Sequence, residues 1–163
     1  MLTLERANEV LRYEPESGLL TWKVSVNNRS SPGAVAGCKS GNGYIRIKID
    51  GTQYLAHRVA WLIHYATWPT GPIDHADTDR TNNAAGNLRL CTSSQNQQNQ
   101  PLRKSNRSGV KGVSWCASMS RWHVQIRATG QIHQGGYFIS IDEAEVAAIQ
   151  LRTQLHGEFA RHA

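Results

Sequence analysis

The chain has 163 residues, with 18 Lys+Arg against 12 Asp+Glu, a formal net charge of +6 and a hydrophobic share of 39%. That length allows one ordinary domain or two small ones, and no stretch approaches the run of about eighteen apolar residues that a membrane span requires. Three cysteines, Cys38, Cys91 and Cys116, form no Cys-x-x-Cys pair, which excludes a disulfide framework and a four-cysteine zinc site and suits a reducing compartment.

In chain order, Leu4, Ala7 and Leu11 stand at helical spacing and predict a short amphipathic helix from Leu4 to about Tyr13. Glu5, Arg6 and Glu9 interrupt any apolar leader there, so secretion is not expected. Residues 19–24 (Leu-Leu-Thr-Trp-Lys-Val) read as a strand, and a Ser-Ser-Pro-Gly loop leads into Ala34-Val35-Ala36. Ile45, Ile47 and Ile49 alternate with Arg46 and Lys48, the period of a half-buried strand, and Asp50-Gly51 marks a hairpin turn into Gln53-Tyr54-Leu55. From Ala56 to about Ala66, Val59, Leu62 and Ile63 predict the buried face of a helix that Trp68-Pro69 stops.

Residues 72–100 are crowded with Asp, Asn and Gln, yet sit between regular elements. Ile73 anchors Asp74-His75 to a strand end, Leu88-Arg89-Leu90 offers a second strand, and Thr92-x-x-Gln95 supplies a capping box for a short helix ended by Pro101. Residues 102–108 are polar and basic and read as a linker. Beyond it, residues 110–115, 121–128 and 132–139 make three strand-like runs. Ser140-x-x-Glu143 then opens a helix with Ala144, Ala147, Ala148, Leu151 and Leu155 on one face and Gly157 as its C-cap.

Charge is unevenly placed. Between Asp79 and Asp142 there is no acid, while Arg80, Arg89, Arg103, Lys104, Arg107, Lys111, Arg121 and Arg127 all fall in that interval. An acid-free interval threaded with bases and aromatics fits a polyanion, above all nucleic acid. Within the polar middle, His75 is suited to take a proton from water near neutral pH. Asp74 is a hard oxygen donor for a divalent cation. Asn87 could loop back to orient His75, and Asn96 on the capped helix offers a second oxygen. Asp77-x-Asp79-x-Thr81 starts like a calcium loop, but position six lacks Gly and position twelve is Leu88. Cys91, Cys116 and His123 lack zinc-finger spacing and are expected to include buried free thiols.

Asp74-His75, Asp79-Arg80, Asn83, Asn87-Leu88-Arg89 and Ser94-Gln95-Asn96-x-x-Asn99 resemble the HNH endonuclease motif in its His-Asn-Asn form, that of phage and group I intron homing endonucleases. Leu55-Ala56-His57-Arg58-Val59-Ala60-Trp61 is similar to the helix preceding the motif in that branch. The resemblance implies a ββα-metal (His-Me finger) fold, with His75 as general base, Asn87 as its positioner, and Asp74 with Asn96 as ligands of one Mg²⁺ or Mn²⁺ ion. Asn99, one helical turn on, is the alternative to Asn96. Ala76, Asp77 and Thr78 replace the family's bulky apolar residue followed by Asn-Gly.

Ser108-Gly109-Val110-Lys111-Gly112-Val113-Ser114-Trp115, residues 121–127 and Gly136-Tyr137-Phe138 are similar to the plant ethylene-response-factor DNA-binding domain, with Ile139 in place of its usual acid. That resemblance implies a three-stranded sheet laid in the DNA major groove with a helix behind it.

The expectation is an α+β chain: an HNH endonuclease domain over residues 1–100 with its core motif at 72–100, a basic linker at 101–108, and a sheet-plus-helix DNA-binding domain at 109–163. Arg80, Arg89, Arg103, Lys104 and Arg107 would hold phosphates, and Lys111, Arg121 and Arg127 phosphates or base edges. The expected function is metal-dependent hydrolysis of double-stranded DNA by an intracellular, phage-type nicking or homing monomer, with no membrane and no small-molecule cofactor. The alternative is a non-catalytic DNA-binding protein that retains the scaffold; a protein-interaction module explains least.

Overall fold

A computed structural model describes residues 1–26, 30–102 and 105–162. The chain is mixed α+β with small antiparallel sheets, and it divides into two compact units, Met1–Cys91 and Thr92–Ala163.

The first unit opens with α1 (Leu4–Val10), capped by the Thr3 hydroxyl, which accepts from the Arg6 amide. The helical spacing that reached Tyr13 is overridden after Val10. Leu11–Tyr13 is instead β1, paired antiparallel with β2 (Leu20–Trp22). Pairing buries Leu11 and Leu20 on one core, where one further helical turn would leave the β2 edge open. β3 (Cys38–Lys39), β4 (Ile45–Ile49) and β5 (Thr52–Leu55) form a meander. Ala34-Val35-Ala36 contributes a single bridge from Val35 to Thr21, so no separate strand forms there.

α2 (Ala56–Tyr65) follows β5 directly and buries Ala56, His57, Val59, Ala60, Trp61 and Leu62. It ends at Ala66, whose left-handed φ of 58° closes it before Trp68-Pro69 is reached. Arg58 reaches past that end to the carbonyls of Gly71 and Pro69, tying the incoming loop to the helix. β6 (Ile73–His75) and β7 (Leu88–Leu90) are paired antiparallel, with a 3₁₀ turn at Ala85–Asn87 before β7.

The second unit begins with α3 (Ser93–Gln98). Its Thr92–Gln95 capping box is fully formed, as the sequence predicts. β8 (Val113–Cys116), β9 (Arg121–Ala128) and β10 (Gln131–Phe138) make one antiparallel sheet in the order β10-β9-β8. α4 (Ile141–His156), opened by the Ser140–Glu143 capping box and closed at Gly157, packs Ala144, Ala148 and Leu151 against Val113, Val124, Trp122 and Phe138. Arg152, unremarked in the apolar pattern, is 1% exposed beneath this helix, with its guanidinium on the Lys111 carbonyl and His162 Nδ1.

Among the described residues no helix is long and apolar enough to cross a membrane. The thiols separate by position: Cys91 is buried, but Cys116 is half-exposed and Cys38 exposed, because both lie on short outer strands. Burial is therefore right for Cys91 and wrong for Cys116.

Candidate active site

The β6–β7 ribbon positions the proposed chemistry. Its register sets Asp74 opposite Arg89 and His75 opposite Leu88, and strand alternation sends the two pairs to opposite faces. His75 therefore joins the side where Leu88 enters the core, and is 3% exposed; Asp74 is 5% exposed. On the Asp74 side, Arg89 donates from Nε at 3.0 Å and from Nη2 at 2.8 Å to a single carboxylate oxygen, Oδ2. A carboxylate this deep requires a cation, and the opposing guanidinium is one.

His75 sits in a cluster of rings. Its centroid lies 5.1 Å from that of His57, edge-on, and 5.9 Å from that of Tyr44. Tyr44 in turn carries the Arg80 guanidinium 4.9 Å above its face. Asn83 places Oδ1 3.3 Å from His75 Nε2. An amide oxygen accepts, so this contact puts the imidazole proton on Nε2 and the basic lone pair on Nδ1. Burial pushes the His75 pKa below its ordinary value, against the opposing pull of Asn83 and of Asp77, Asp74 and Asp79. His57 is pushed down to about 3 by burial, then by His75 and Arg58. Both rings are accordingly neutral at pH 7.

The loop between β6 and β7 is held from within. Asp77 Oδ1 accepts from the Asp79 amide and Asn87 Nδ2, while its Oδ2 accepts from Asn82 Nδ2. Asp79 Oδ1 accepts from the amide and hydroxyl of Thr81. These carboxylates, which resemble a calcium loop in sequence, cap turns of their own loop. Asn87 Oδ1 accepts from the Asp77 amide, its Nδ2 also donates to the Asn82 carbonyl, and its backbone carbonyl accepts from Ala76. Its side chain thus braces the loop behind His75, and the amide against the imidazole is that of Asn83.

Asn83 is held from the N-terminal hairpin. Tyr13 Oη donates to the Asn83 carbonyl at 2.8 Å, and the Ala85 amide donates to the Pro15 carbonyl. Gly18, at φ 73°, lies so close that a Cβ there would stand 2.2 Å from the Ala84 nitrogen and 2.3 Å from the Asn83 carbonyl carbon. Sequence reasoning gave no role to Asn83, Tyr44, His57, Tyr13 or Gly18. Asn83 falls inside the motif and His57 in the helix that precedes it, but nothing in spacing alone shows that they meet His75.

The other expected positions lie as follows. Arg80 is half-buried, with Nη1 on the Asn42 carbonyl, so it clamps the 41–43 turn. Arg103 and Lys104 lie outside the described residues. Arg107 and Arg127 are exposed, and Arg121 is half-exposed. Lys111 is half-buried and donates to the carbonyls of Gln98 and Gln100 at the end of α3, with its pKa pushed down to about 8 by burial and by Arg152 and Arg161. In the second unit, Asn96 lies half-buried on α3 and Asn99, its C-cap, is 5% exposed.

Among the described residues no three His, Cys, Asp or Glu side chains are grouped to hold a metal. The donor chemistry nevertheless fits a hard divalent ion. Asp74 is a buried carboxylate, a hard oxygen donor of the kind such an ion takes.

A buried histidine, a loop pinned around it and a buried carboxylate on the same strand therefore lie together in the first unit. Residues 54–98 match the HNH endonuclease family, and the chain belongs to that family, whose members hydrolyse DNA phosphodiesters. It is 43% identical over 91 residues to Protein 3.8 of Escherichia phage T7, across 55% of this chain and 73% of that one. No solved structure matches the chain.

Proposed function

We propose that the chain is a metal-dependent endonuclease that nicks double-stranded DNA at a preferred site, in the manner of a homing enzyme. The observation that carries this reading is the contact between the buried side chains of Asn83 and His75, which sets the basic lone pair on Nδ1. His75 Nδ1 takes the proton of the attacking water. Asn83 holds the imidazole through Nε2, and Asn87 holds the loop that carries Asn83. Asp74, with Asn96 or with Asn99 one turn on, would hold the divalent ion, Mg²⁺ or Mn²⁺. When bound, that ion supplies Lewis-acid stabilisation of charge on the phosphate and the leaving 3′ oxygen. One base and one ligand pair cut one strand per visit, which favours a nicking monomer.

The nuclease domain in this reading covers residues 1–100, followed by a linker at 101–108. The match over residues 54–98 supports it by including α3. Residues 109–163 form the ethylene-response-factor-like reader. Their sheet leaves Arg121, His123, Gln125 and Arg127 on the face opposite Val124 and Ile126, with Tyr137 stacked on His123 at 4.3 Å. Arg80 and Arg89, with Arg103, Lys104 and Arg107, serve the backbone phosphates. The alternative, a non-catalytic DNA-binding protein, accounts for the charge but not for a dry, tautomer-fixed histidine. Supercoiled plasmid incubated with Mg²⁺, with Mn²⁺ and with EDTA tests the two. Open circles that form with metal and not with EDTA support the nuclease, whereas intact supercoils in every arm support the alternative.

A further inference from the structure

We propose that Arg89 is a resident counter-ion that competes with the divalent metal for Asp74, so that metal loading is an exchange of one cation for another. The inference rests on the reading of Asp74 as a ligand and goes beyond it. Register places Arg89 directly across from Asp74, and its Nε and Nη2 converge on Oδ2, at 3.0 and 2.8 Å. With Asp74 5% exposed, its charge is costly without a cation, and Arg89 supplies one in the metal-free protein. Two consequences follow from charge alone. A divalent ion at this carboxylate would take Oδ1 beside a like-charged guanidinium, or take Oδ2 and turn Arg89 away. In either case Arg89 is repelled, and a DNA phosphate is the natural new partner for a planar guanidinium.

Arg89 would then oppose metal in the absence of DNA and favour it in the presence of DNA. A histidine-bearing strand opposite an arginine-bearing one thus becomes a coupling device, with the guanidinium shared in turn between carboxylate and phosphate.

The test is Mn²⁺ titration of the DNA-free protein, followed by electron paramagnetic resonance of the free ion, with thermal unfolding in EDTA and in saturating Mn²⁺ alongside. Arg89→Gln should bind Mn²⁺ about tenfold more tightly than wild type, because a charge-assisted competitor has been removed. It should be less stable than wild type in EDTA and recover most of the difference in Mn²⁺. If Arg89→Gln does not fold in either condition, Arg89→Lys replaces it: a single-point ammonium grips Oδ2 less well, and the Mn²⁺ dissociation constant should fall about threefold. An unchanged or weaker Mn²⁺ affinity in the folded variant overturns the exchange. Asp74→Ala keeps the two readings apart. If it abolishes Mn²⁺ binding while Arg89→Gln leaves affinity unchanged, Asp74 remains the ligand and only the exchange fails. Wild-type affinity in Asp74→Ala overturns both.

Discussion

Replacing Asn83 moves the pH profile of the nuclease in a direction that depends on the replacement. Asn83 is 4% exposed and holds its amide oxygen 3.3 Å from His75 Nε2. His75 must be neutral to act as a base, so activity falls as pH falls through its pKa, and burial places that acid limb below the ordinary 6.5. Asn83→Asp sets a unit negative charge beside the ring. The bare attraction at such a distance is about 5 kcal/mol for a surface-like dielectric, and burying the new carboxylate cancels much of it. A net rise of about one to two pH units remains, at about 1.4 kcal/mol each. Asn83→Leu removes a neutral acceptor worth about 1 kcal/mol, so the limb should move down by less than about one unit. It also frees the ring to turn and exchange tautomers, and a misplacement on this scale costs about a hundredfold in rate. The assay is kcat/KM for nicking of a fluorescent duplex from pH 4.5 to 9, which reports the free enzyme. Limbs that stay at the wild-type position, or that move the same way in both variants, would refute the role of Asn83 and the Nδ1 assignment together.

The buried His57 predicts acid sensitivity. Its pKa is about 3 folded against 6.5 for the ordinary imidazole, so the unfolded chain takes the proton first. Stability is therefore lost as pH falls below about 6.5, by up to about 5 kcal/mol before pH 3 is reached. His57→Phe, which also removes a buried Nδ1 with no partner among the described residues, should flatten urea-derived stability between pH 6.5 and 4; an unchanged slope contradicts it. Thr78 takes φ 67°, a conformation that suits glycine. Thr78→Gly should raise thermal stability by about 1 kcal/mol, whereas a fall shows that the side chain matters more than the strain. Arg121→Gln with Arg127→Gln should flatten the slope of log affinity against log salt by about two units. Lys111→Met should instead lower stability, because its ammonium caps the end of α3; a salt-slope change without destabilisation would return it to the DNA face.

The elements that sequence reveals best are those whose own residues decide them. Thr92-x-x-Gln95 and Ser140-x-x-Glu143 satisfy helix N-termini locally and appear as capping boxes. The alternation of Trp122, Val124 and Ile126 states which side of β9 meets α4. What escaped was decided by partners distant in the chain. Leu11 left the helical period because β2 offered hydrogen bonds and a shared core. Arg80 and Lys111 stand out by charge, but the backbone carbonyls each also donates to are set by turns and helix ends that charge alone does not reveal. The candidate site divides in the same way. His75 and Asp74 were legible as a pair of reactive types at a strand end. The contact with Asn83, by contrast, depends on Tyr13 and Gly18, some seventy residues away in a different hairpin.

The most direct measurement compares wild type with His75→Ala on supercoiled plasmid in Mg²⁺, with duplex affinity measured in EDTA beside it. Wild type should convert supercoils to open circles, and His75→Ala should leave them intact at nearly unchanged affinity, since the base acts in the transition state and adds little to ground-state binding. Nicking by His75→Ala at the wild-type rate would contradict the account, because the buried imidazole would then not be the base.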